Sequence, residues 1–139
     1  MEIKYLLDTN IVSEPLRPHP NQKVLQKLEQ HQQKMAIAAV VWHELLHGME
    51  LLEHSTKREK IKYYLEQIVK KTLSILPYHE AAAEWHARER AKLKKRGIST
   101  DFVDGQIAAI AKTHGLTLVT HNTKDFARFE HLAVENWFK

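Results

Sequence analysis

The chain has 139 residues, 43% of them hydrophobic, with only four glycines and four prolines. That is enough to bury a real core in one domain spanning residues 1–139, and it excludes a disordered or low-complexity chain. There is no cysteine, which excludes a disulfide framework and a thiolate metal site, while a net charge of +4 and a pI near 9.3 favour a polyanionic partner.

No stretch reads as a signal peptide or a membrane span, so a cytoplasmic protein is expected. The chain opens on Ile3-Lys4-Tyr5-Leu6-Leu7-Asp8-Thr9-Asn10. An apolar run ending in a carboxylate reads as a buried parallel strand whose C-terminal end opens into a site. Ile11 to Glu14 starts a short helix, broken into a loop by Pro15, Pro18 and Pro20. Asn21 can cap a helix carrying Val24, Leu25 and Leu28, and Met35 to Ala38 is a second strand. The next helix places Trp42, Leu45, Leu46, Met49 and Leu52 on one stripe and leaves His43, Glu44 and His47 off it.

Ser55-Thr56 caps a further helix, with Glu59 completing a capping box from Thr56. Its apolar face is Ile61, Tyr64, Leu65, Ile68 and Val69. Leu73 to Leu76 is a third strand. A long helix runs from His79 to Arg96, has cations in its last turns, and stops at Gly97. Ser99 or Thr100 caps a helix over Asp101 to His114. Leu116 to Thr120 is a fourth strand, His121 to Asp125 a polar turn, and a last strand lies near Leu132 to Glu135. Strands alternating with helices make an α/β fold with a parallel sheet covered on both faces. The larger aromatics Trp42, Tyr64, Trp85 and Trp137 are assigned to the core.

If the strands are parallel, Asp8, Glu44, Asn122 and Asp125 emerge at one sheet edge. The first turn of the helix before strand four brings Asp104, with Asp101 three residues earlier, to the same edge. Two unpaired carboxylates ~4 Å apart repel by about 4 kcal/mol at an effective dielectric of ~20. A cluster of them asks for a cation, and all-oxygen ligands suit Mg²⁺ or Mn²⁺. In a basic protein with clusters at Lys57–Lys62, Lys70-Lys71 and Arg88–Arg96, phosphodiester hydrolysis is the natural chemistry. Taken singly, each acid reads better as a helix-end or cap residue than as a ligand; it is their joint placement that points to a site.

In order and spacing, four pieces resemble the PIN-domain ribonucleases, specifically the VapC-type toxins of toxin–antitoxin pairs. They are Leu6-Leu7-Asp8-Thr9-Asn10, Glu44-Leu45 with Gly48, Asp104-Gly105-Gln106-Ile107-Ala108-Ala109, and Thr120-His121-Asn122-Thr123-Lys124-Asp125-Phe126. The resemblance covers essentially the whole chain. It implies a three-layer α/β/α sandwich with a mainly parallel, five-stranded sheet, Mg²⁺-dependent endoribonuclease activity, a homodimer, and a cognate VapB-like antitoxin. It maps the metal-site acids onto Asp8, Glu44 and Asp104, with the fourth position open between Asn122 and Asp125. Thr9 and Thr120 look like hydroxyls that orient those acids, and Asp101 stands beside them. By resemblance alone, the target is a structured RNA of the transfer RNA kind.

One motif argues otherwise. His43-Glu44-Leu45-Leu46-His47 fits the H-E-x-x-H helix of zinc proteases, with Glu44 as general base. The pattern is short, and ten histidines can supply it by chance. Where the extended metzincin form has a glycine and a third histidine, this chain has Glu50 and Glu53. A third reading keeps the fold and drops the chemistry, leaving a silent nucleic-acid-binding domain. A receiver or phosphatase-like domain needs a second acid two residues after Asp8, where Asn10 stands.

Overall fold

The computed structural model describes residues 2–139, so Met1 of the expected 1–139 domain lies outside the described residues. Five short strands form one sheet: β1 (Tyr5–Leu7), β2 (Met35–Ala38), β3 (Ser74–Leu76), β4 (Thr117–Val119) and β5 (Val134–Glu135), in the order β3-β2-β1-β4-β5. Every pairing is parallel, with Tyr5 opposite both Met35 and Thr117. Parallel pairing needs a crossover between strands, and helices supply it. They are α1 (Thr9–Val12), α2 (Gln22–Gln30), α3 (Ala39–Glu50), α4 (Thr56–Tyr63), α5 (Lys70–Thr72), α6 (Glu80–Lys95), α7 (Phe102–Thr113) and α8 (Thr123–Phe126). The result is the expected α/β/α sandwich.

The sheet's middle is wholly apolar. Leu6, Leu7, Ile37, Leu118 and Val119 have no exposed surface, and all four residues of β2 are buried. A strand covered on both faces has no polar side to show, which is why β2 reads as an unbroken run, not as an alternation. Trp137 is core at 2% exposure, while Trp42, Tyr64 and Trp85 pack partly buried against it. No helix of the described residues is long and apolar enough to cross a membrane.

Three local expectations shift. Ser55, not Thr56, caps α4, accepting from Arg58 N–H at 3.1 Å. Asp101, not Ser99 or Thr100, caps α7, accepting from Asp104 N–H at 3.0 Å. A carboxylate at a helix N-terminus satisfies a free N–H and also meets the positive end of the dipole, so it outcompetes a hydroxyl. Between α4 and α5 the chain forms a π-helical segment, Tyr64–Val69. A π turn holds more residues than an α turn, so i and i+4 share its inner face and i+3 drifts off. Leu65 and Val69 are accordingly buried, and Ile68, expected on the apolar face, is 44% exposed.

The strand order is what places the site. The chain steps outward from β1 to β2 and β3, then returns to the other side of β1 to lay down β4 and β5. The order therefore reverses between β1 and β4, and a crevice opens beyond their carboxyl ends.

Candidate active site

Asp8 is the first residue beyond β1 and is only 8% exposed. Its backbone is pinned across the crevice by its N–H donating to Val119 O at 2.9 Å. Its side chain caps α1, accepting from Thr9 N–H at 2.9 Å. Oδ2 accepts from Thr120 Oγ1 at 2.8 Å and, more weakly, from Asn10 Nδ2 at 3.5 Å. Thr120 is itself oriented, because its Oγ1 accepts from Asn122 N–H at 3.0 Å. A hydroxyl that accepts on one side has its proton free for the other, so a relay runs from the amide of Asn122 through Thr120 to Asp8.

Glu44 stands on the exposed side of α3 and accepts from Thr9 Oγ1 at 3.4 Å. Thr9 thus touches two acids, one through its backbone and one through its hydroxyl. Asp104 lies in the first turn of α7, and among the described residues no donor bonds its carboxylate. Asp125 sits in the first turn of α8, its N–H donating to Asn122 O at 3.1 Å. Asn122 enters the site through its backbone.

Electrostatics ties these elements together. Burial lifts the Asp8 carboxyl above its ordinary range, the hydrogen bonds from Thr120, Thr9 and Asn10 oppose the lift, and the charge of Asp125 adds to it. Burial and then the charge of Asp8 raise Glu44, with Asp101 adding to both. Asp104 is pushed up to about 6 by burial first, then by the charges of Asp101, Asp8, Asp125 and Glu44. Distant segments therefore meet in one field of negative charge, as the sequence suggests. None of the ion pairs among the described residues reaches these five acids; the paired acids are Glu14, Glu50, Glu89 and Glu130.

This donor set fits a hard divalent cation: oxygen ligands only, raised carboxyls at Asp8, Glu44 and Asp104, and among the described residues no Lys or Arg paired with them. It does not form a closed cage. Among the described residues, no three His, Asp or Glu side chains stand close enough together to hold an ion between them. Mg²⁺ tolerates that, since it keeps several waters and is bound through one or two carboxylates plus substrate phosphate.

The histidine pair does not make the zinc-protease arrangement. His43 and His47 are exposed on α3 with rings nearly parallel, centroids 5.9 Å apart, and among the described residues no third His, Asp or Glu gathers with them. Glu44 turns to Thr9. Asn10 was not singled out from the sequence, although it sits in the opening motif. Besides its bond to Asp8, its Oδ1 accepts from His121 N–H at 3.0 Å, tying the loop after β4 to the start of α1.

The PIN domain family model matches residues 5–132. Toxin FitB of Neisseria gonorrhoeae is 36% identical over 135 residues, covering 95% of this chain and 97% of its own. The tRNA(fMet)-specific endonuclease VapC of Shigella flexneri is 33% identical, covering 97% and 98%. Among solved structures, FitAB bound to an IR36 DNA fragment superimposes with a TM-score of 0.89 at 34% identity, over 97% of this chain and 96% of that one. The fold agrees with these likenesses, and the chain belongs to the PIN-domain family, in its VapC-type branch.

Proposed function

We propose that this protein is a divalent-metal-dependent endoribonuclease toxin held in check by a cognate antitoxin. The observation that carries the reading is the field of unneutralised carboxyls around Asp8 at the β1–β4 crevice. Asp8, Glu44 and Asp104 are the ligands we assign to Mg²⁺, with Mn²⁺ as a substitute. Asp125, whose charge reaches both Asp8 and Asp104, is a better fourth ligand than the neutral Asn122.

A divalent ion bound there would polarise the scissile phosphate and supply an acidified water as nucleophile. The chain's own contribution is orientation. Thr120 and Thr9 N–H fix the Asp8 carboxylate, the Thr9 hydroxyl holds Glu44, and Asp101 anchors the turn that presents Asp104. The basic surface gathers the polyanion, with Lys92, Lys94 and Lys95 in the last turn of α6.

The substrate in this proposal is a structured RNA of the transfer RNA class, met in the cytoplasm; the name of the Shigella relative, a tRNA(fMet)-specific endonuclease, supports that choice. FitAB and VapBC assemblies among the structural relatives support an antitoxin partner. A homodimer is part of the same proposal.

The test is cleavage of a transfer RNA pool by purified protein, with the new ends sequenced. Discrete cuts that need Mg²⁺, stop with a chelator and weaken steeply with salt are expected. Cutting that ignores the chelator, or no specific Mg²⁺ uptake by calorimetry, would overturn the reading, the second outcome leaving a silent nucleic-acid-binding domain.

A further inference from the structure

His86 lies on the inner face of α6 at 1% exposure, outside the acid cluster. Its Nδ1 is 2.8 Å from Tyr78 Oη, and its Nε2 is buried with no hydrogen-bond partner. A buried unpaired nitrogen is costly, and an apolar side chain of similar size would avoid the cost. What occupies that side of the ring is the first turn of α7. A Cβ built on Gly105 would overlap Nε2 and come within 2.7 Å of both Cδ2 and Cε1.

Only a hydrogen fits between Gly105 Cα and the imidazole. The Cα–H that replaces the missing side chain faces Nε2, so that nitrogen carries the lone pair, and Nδ1–H donates to Tyr78 Oη. Phe102, one turn earlier on α7, lies with its ring centroid 5.0 Å from that of His86. The imidazole therefore touches α7 on both sides of Asp104 in sequence, at Phe102 and at Gly105. Asp104 has no bonded donor of its own to fix it, so its place in the crevice follows from where this turn sits.

We propose that His86 is a positioning residue: its imidazole, fitted to the absent side chain of Gly105, sets how closely the first turn of α7 carries Asp104 to Asp8 and Glu44. Its consequence for cleavage rests on the nuclease reading above; its consequence for the backbone does not. The pair is a size match. Gly105→Ala pushes the turn outward against a full-sized ring, His86→Ala releases it, and the two together restore room for the added methyl.

The experiment compares Gly105→Ala, His86→Ala and the double variant. In RNA cleavage, Gly105→Ala is expected to lower kcat about tenfold and raise the half-saturating Mg²⁺ concentration, with KM for RNA little changed. The double variant should recover most of that loss, which a merely weakened core would not. The readout independent of catalysis is the pair of amide resonances of Asp101 and Asp104 in metal-free protein: displaced in Gly105→Ala, returned towards wild type in the double variant. Should Gly105→Ala fail to fold, His86→Ala and the double variant decide on the same two readouts. Unmoved resonances, or a folded double variant no better than the single, would overturn the proposal. A wild-type protein that neither cuts RNA nor takes up Mg²⁺ would sink the nuclease reading, while the resonances would still judge the pair.

Discussion

Asp8 accepts hydrogen bonds from Thr9 N–H, Thr120 Oγ1 and Asn10 Nδ2 and is 8% exposed. Asp104 faces the same crevice with no bonded donor among the described residues, and burial first, then four neighbouring carboxylates, push it up to about 6. One half of the cleft is wired before any ion arrives; the other is held by packing and stands under repulsion. Asp8 follows directly from a central strand, so its position comes with the sheet. Asp104 rides on a helix whose placement depends on α6. The comparison predicts that one and the same chemical change will act oppositely on the two halves.

Asp8→Asn and Asp104→Asn should each cut RNA cleavage by more than about a hundredfold, since even groups that only orient ligands cost 10–100-fold. Their stabilities should diverge. An amide at position 8 turns donors towards donors in a buried place, costing about 1–3 kcal/mol. At position 104 the neutral amide relieves repulsion and is expected to stabilise metal-free protein by about 1 kcal/mol after allowance for solvent screening. Thermal denaturation without metal reads both; two melting temperatures moving in the same direction would dissolve the distinction between the halves.

The pH dependence sharpens it. Asp104 titrates near 3.8 when unfolded and about 6 when folded. Between those values the folded state binds more protons than the unfolded one, so stability falls as pH rises. The penalty is absent below the lower value and complete above the higher one. Metal-free wild type should therefore lose stability from about pH 4 to pH 6, through Asp104 above all, with raised Asp8 and Glu44 adding the same sign. Mg²⁺ competes with those protons, so its uptake should strengthen across the same window and cancel much of the loss. Asp104→Asn should flatten the slope. A slope unchanged in that variant would assign it to other groups.

The wired half was legible because its signals are local. An apolar run broken by Asp8-Thr9-Asn10, and a second broken by Thr120-His121-Asn122, mark strand ends whatever the rest of the chain does. The loose half was legible only as residue types. That Asp101 and Asp104 open a helix could be read, but not that His86 backs it. The sequence marks α6 by its cations and by Trp85 and singles out neither His86 nor Glu89; in the fold they are 1% and 4% exposed. Glu89 accepts from Glu130 N–H at 3.1 Å, bracing the segment that follows α8. Which face of α6 turns inward is settled by its packing along α7, and one helix's periodicity carries no record of its partner. The π segment was invisible for a similar reason: an α period fits Ile61 to Val69 well enough until the extra residue per turn moves Ile68 outward.

The smallest effects lie inside the wired half and test what wires it. Thr120→Val removes one hydroxyl at nearly constant volume, leaving both Asp8 Oδ2 and Asn122 N–H short of a partner. A loss of about tenfold in cleavage and about 1–2 kcal/mol in stability is expected, with Thr120→Ser near wild type. Asn10→Ala also removes a bond to Asp8, but a 3.5 Å one that contributes little, plus the 3.0 Å bond from His121 N–H, whose donor is exposed and can turn to water. Its cost should be a few-fold in cleavage and about 0.5–1 kcal/mol. If Asn10→Ala proved the costlier, Asp8 would owe its orientation to the bridge between α1 and the loop after β4, and the hydroxyl relay would be secondary.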